Sequence, residues 1–124
     1  MACIALRPPL LSCFVVLGHS SCGAIGAAVD TFLRPGGYLE LADRHDLRGI
    51  VDGLLAIVLI AARVLAAVYG PGVEARKGYR EALTELSVLF NAAMGAFTIR
   101  KELERLHARD ELAAVYGVYG IDTR

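Results

Sequence analysis

The chain has 124 residues, 56% of them apolar, with 13 basic and 13 acidic side chains in balance. That length holds at most one domain, and balanced charge without a basic stripe interleaved with aromatics argues against a nucleic-acid partner. The apolar share exceeds the roughly 45–50% of ordinary soluble domains. A partner subunit, in a homo-oligomer such as a dimer, is therefore expected to cover surface that one small chain cannot hide. Three cysteines, Cys3, Cys13 and Cys22, form an odd set without framework spacing. A reducing, cytoplasmic setting suits them better than a disulfide-stapled secreted one. Residues 1–16 carry only Arg7 as a positive charge, and Pro8-Pro9 interrupt the place where a signal core would begin, so export is not expected.

Residues 10–17, Leu-Leu-Ser-Cys-Phe-Val-Val-Leu, lie between Pro8-Pro9 and Gly18. A short apolar run of this kind suits a buried strand of a parallel sheet. A helix is expected over residues 22–33, with Ser20 or Ser21 as its N-cap, and Arg34-Pro35-Gly36-Gly37 should end it. Residues 47–69 are the most apolar stretch. Asp52 and Arg63 leave only 54–62 uninterrupted, short of the ~20 residues a membrane span needs, so a buried helix and no membrane are expected. Gly70-Pro71-Gly72 breaks it. A long helix over 74–107 follows, with Tyr79, Leu83, Leu86, Phe90, Ala93 and Phe97 stepping by four and three along one packing seam. The charge-rich 100–109 reads as its solvated end. Residues 112–121 are too glycine-broken for a helix and read as a closing strand.

The expected order is strand, helix, helix, long helix, strand: an α/β fold with a short, mostly parallel sheet covered by three or more helices. Two strands do not make an independent sheet, so the arrangement reads as part of something larger.

Chemistry concentrates in Gly18-His19-Ser20-Ser21-Cys22-Gly23-Ala24. Imidazole and thiolate, three positions apart at a strand-to-helix corner, are the side chains zinc prefers, and zinc takes about four ligands. Elsewhere the donors read blandly. Asp30 and Asp43 are expected to be solvated. His45, within Asp43-Arg44-His45-Asp46, belongs to a polar loop or helix start, and His107 to the charged terminal turn. Cys13 is expected in the core.

Preceded by Val15-Val16-Leu17, this motif resembles the second zinc-ligand motif of the β-class carbonic anhydrases. Gly117-Val118-Tyr119-Gly120-Ile121-Asp122-Thr123 is similar to that family's last strand and turn, with Arg124 in place of a final glycine. The resemblance spans residues 13–124. It implies a partial β-carbonic-anhydrase-like fold, with His19 and Cys22 as two of three protein ligands of a catalytic zinc. The chemistry implied is reversible hydration of carbon dioxide to bicarbonate, the metal lowering the pKa of bound water toward about 7. It further implies that the strand end delivers the imidazole and the helix start presents the thiolate to backbone N–H groups. Gly18 and Gly23 would let the backbone turn sharply beside the metal.

The family's other half-site, a Cys-x-Asp-x-Arg motif about fifty residues earlier, has no counterpart here. Cys3-Ile4-Ala5-Leu6-Arg7 repeats the Cys and Arg spacing with Ala5 at the acidic position. Neighbouring parallel strands need a crossover of about a dozen residues or more, and residues 8–18 must already supply a strand, so the spacing reads as coincidence. The chain then corresponds to the carboxyl-terminal half to two-thirds of the family's domain, as a truncated or split product or a degenerate paralogue. A third ligand would come from Cys3, a symmetry-related subunit, or a separate chain carrying the missing half-site. Two other readings stand beside this one: a non-catalytic homologue acting as an assembly or regulatory partner, and thiol chemistry at Cys22.

Overall fold

The structure, a computed structural model, describes residues 13–106 and 112–121. Strand β1 (Cys13–His19) leads into helix α1 (Gly23–Leu33), and a 3-10 segment (Pro35–Leu41) connects to helix α2 (His45–Tyr69). A short 3-10 turn (Val73–Ala75), helix α3 (Tyr79–Arg105) and strand β2 (Ala113–Tyr119) complete the described chain. The element order is the one the hydrophobic patterning anticipates.

Each boundary has a local cause. Pro35 enters the 3-10 segment at its first residue, where the missing N–H is not needed. Helix α2 carries Asp46 in its first turn, favourable to the helix dipole. It stops at Gly70, whose φ is 86°, and Pro71 cannot continue it. The third helix begins later than the expected residue 74. Gly72 and Gly78 both take left-handed backbone, and this breaks the run until Tyr79. His107, expected near its end, lies outside the described residues.

β1 and β2 pair in parallel, Cys13 opposite Ala113 through His19 opposite Tyr119. The crossover between them contains all three helices, the long connection a parallel pair requires. The fold is thus mixed α/β, but the expected cover of three or more helices is corrected. Among the described residues only α3 touches the strands. It lies on one face, where Val16 and Gly18 of β1 meet Gly95, Val88 and Ala92. Side chains alternate across a strand, so Cys13, Val15, Leu17 and His19 share the other face. Val15 and Leu17 there are 64% and 63% exposed. Cys13, expected in the core, is only half-buried because it opens the strand on this uncovered side.

The core sits among the helices. Ile25, Ala28 and Val29 of α1, Val51, Val58, Ala61 and Leu65 of α2, and Leu83 and Val88 of α3 are its buried members. On α2 the spacings of seven, three and four, and on α1 the positions 25, 28 and 29, give each of these two helices one buried stripe. Helix α2 is not the wholly buried helix expected from its composition: Ile50, Leu59, Ile60 and Val68 are exposed. Its buried stripe faces α1 and α3, and these four residues lie off that stripe. By length and composition alone, α2 and α3 are each long and apolar enough to cross a membrane.

The seam of α3 also differs from expectation. Tyr79, Leu83, Leu86 and Phe90 do pack on the helical core, but beyond them the buried positions are Ala92, Ala96 and Leu103, and Phe97 is 52% exposed. The helix serves two partners. Its first half faces α1 and α2, and its second half turns small residues to the strands, so the buried stripe rotates along its length.

Candidate metal corner

The strand-to-helix corner is short. β1 ends on His19 and α1 begins at Gly23, with Cys22 as its N-cap residue. Neither serine caps the helix, contrary to the expectation from the sequence; the cap position makes no side-chain hydrogen bond at all. Ser21 has φ 56°, the one non-glycine residue with left-handed backbone among the described residues. Such conformations are disfavoured by a Cβ and concentrate where the surroundings hold a functional turn in place.

The two sulfur and imidazole donors therefore bracket a strained two-residue turn. His19 is exposed at the end of the uncovered sheet face, with its Nδ1 3.0 Å from the Ser20 carbonyl oxygen. That contact, if made by a protonated Nδ1, leaves Nε2 as the lone-pair nitrogen. Cys22 is half-buried, free of any disulfide, and packs against the helical core. The corner lies at the carboxyl ends of both parallel strands, where open α/β sheets place their ligands.

The glycines act differently from what the resemblance implies. A Cβ on Gly18 would lie 3.2 Å from Val88 Cγ1 and 3.3 Å from Ala92 Cβ, so the close approach of α3 is what demands glycine there. Gly23 has open space around it and ordinary φ; the left-handed turn falls on Ser21 instead.

Hydrogen bonds tie the corner to the far end of the chain. The Ser20 N–H donates to the Tyr119 carbonyl at 2.9 Å, and Ser20 Oγ accepts from the Ile121 N–H at 2.7 Å. No local pattern announces this contact, because its partners are 101 residues apart.

The other candidate donors stand elsewhere. Asp43 is exposed after the 3-10 segment, and His45 is the exposed first residue of α2. Asp30 is exposed, as expected, but held by Arg80 of α3. Cys3 lies outside the described residues. Among the described residues no group of three or more His, Cys, Asp or Glu side chains is placed to hold a metal ion. The corner holds one imidazole, exposed on the uncovered sheet face, and one thiol, packed against the helical core; this falls short of a tetrahedral zinc set, so no reaction step follows from the described residues alone.

Comparison with known protein families, with curated proteins and with solved structures gives no match for this chain.

Proposed function

We propose that the chain is a β-class carbonic anhydrase-like protein in which His19 and Cys22 are two of the ligands of a zinc ion. The reaction class is reversible hydration of carbon dioxide to bicarbonate, realised when further donors complete the site. One observation carries this reading: an imidazole and a thiol flank a left-handed, non-glycine turn at the carboxyl end of a parallel strand. Strain of that kind is kept where a turn has work to do, and the strand end is the customary ligand position.

The completing donor comes from Cys3, from a second copy, or from a separate chain carrying the missing half-site. The bare sheet face supports a partner. Parallel sheets normally have both faces covered, and here Val15, Leu17 and Val115 are exposed. Both strands also have a free outer edge among the described residues, a template for a further strand.

A second reading is favoured by a separate observation. Cys22 packs against the helical core and the described residues lack a third donor, as suits a non-catalytic homologue that serves as an assembly or regulatory partner.

Zinc analysis of the full chain, purified under reducing conditions, separates the two. The metal reading expects zinc that falls when Cys22→Ser or His19→Ala is introduced. A wild-type chain with negligible zinc, unchanged by either substitution, leaves the non-catalytic reading.

A further inference from the structure

Ser20 makes two bonds to the end of β2, and they differ in kind. Its N–H to the Tyr119 carbonyl continues the parallel ladder by one rung, which any residue except proline could supply. Its hydroxyl does something a ladder cannot: it accepts the N–H of Ile121, a residue already past the strand, at 2.7 Å. The hydroxyl is not spent on capping α1, whose N-cap is Cys22. The two bonds issue from one residue, set between His19 and the left-handed Ser21. A single bond would leave the corner free to pivot about it; two fix both position and rotation.

We propose that Ser20 is a positioning residue, clasping the corner to the end of β2 and so fixing the directions in which His19 and Cys22 present their donor atoms. The inference deepens the metal reading of that pair and rests on it for its purpose, while the clasp itself is a property of the metal-free chain. Its consequence is a coupling: displacement of residues 119–121 re-aims the two donors.

The test uses the full chain, metal-free and reduced, with Ser20→Ala, Ser20→Thr and Ile121→Pro. The last removes the same hydrogen bond from its donor side and guards against a Ser20 variant that fails to fold. Ser20→Ala is expected to speed hydrogen exchange at the Ile121 amide by roughly three- to tenfold, the size of one lost hydrogen bond. The His19 ring resonances and the alkylation rate of Cys22 should change with it. Ile121→Pro should reproduce the His19 and Cys22 changes, and Ser20→Thr, which keeps the hydroxyl, should restore wild-type behaviour. A hydroxyl that merely steadies the sheet would alter exchange at Ile121 and leave His19 and Cys22 as they were; that result overturns the proposal, as does unchanged exchange at Ile121. Zinc uptake by the wild-type chain is scored separately. Its absence removes the metal reading without touching the clasp, and unaltered donors in Ser20→Ala remove the clasp without touching the metal reading.

Discussion

Arg80 grips Asp30 through two hydrogen bonds, Nε to Oδ1 at 2.7 Å and Nη2 to Oδ2 at 2.9 Å. The pair joins α1 to the first turn of α3. Its bidentate geometry is the strong form of an ion pair, but both side chains are about half exposed, 48% and 57%, and water screens them. The Arg80 hydrogen bond, ahead of its charge, holds the Asp30 carboxyl below its ordinary value of 3.8. A carboxylate whose pKa is depressed on folding adds stability above its unfolded value and loses it as pH falls through the folded one. Asp30→Asn should therefore cost less than about 1 kcal/mol at neutral pH, with the difference from wild type vanishing as pH drops below the carboxylate range. Urea unfolding at neutral and strongly acid pH reads both.

Two glycines in regular elements should respond to alanine with opposite signs. Gly18→Ala brings a methyl to 3.2 Å from Val88 Cγ1 and 3.3 Å from Ala92 Cβ, so α3 must give by a few tenths of an ångström, and overpacking of this kind costs about 1–3 kcal/mol. Gly53, within α2, has nothing within reach of a Cβ. There alanine should stabilise by roughly 0.5–1 kcal/mol through backbone entropy and helix propensity. Thermal unfolding of both variants decides it.

Ser87 offers a third, independent test of the core. Its hydroxyl is buried on α3 without a hydrogen-bond partner, the one such side-chain atom among the described residues. Desolvating an unpaired hydroxyl is unfavourable by about 1–3 kcal/mol, and alanine is the better helix former. Ser87→Ala is expected to raise stability by about 1 kcal/mol; a loss of stability would mean the hydroxyl is satisfied in solution.

The uncovered sheet face should govern association. Leu17 stands on it at 63% exposure beside Val15, and a lysine there replaces apolar contact surface with a charge. Sedimentation over a range of concentrations should show wild-type chains associating and Leu17→Lys remaining monomeric. Equal, monomeric behaviour of both would remove the face as a docking surface.

Much of this architecture is legible in the sequence because it is written in local terms. Proline and glycine punctuate at 35–37 and 70–72, and the long apolar stretch 47–69 marks α2. The strand-to-helix corner is legible for the same reason: His19, the turn and Cys22 occupy four consecutive positions. What escapes is set by tertiary neighbours. The seam of α3 rotates because the helix changes partners midway, so Phe97 is left exposed where strict periodicity would bury it. The N-cap position falls on Cys22 and not on a serine: Ser21 takes left-handed backbone, and the Ser20 hydroxyl accepts from Ile121 101 residues away. The Asp30–Arg80 grip spans fifty residues and has no signature in either neighbourhood.

Cobalt(II) titration of the full, reduced chain examines the metal corner most directly, since a thiolate bound to cobalt gives a charge-transfer band that imidazole or carboxylate ligands alone do not. The account predicts that band in the wild-type chain, its loss in Cys22→Ser and an altered spectrum in His19→Ala. A wild-type spectrum identical to that of aqueous cobalt, or a band indifferent to both substitutions, would contradict it.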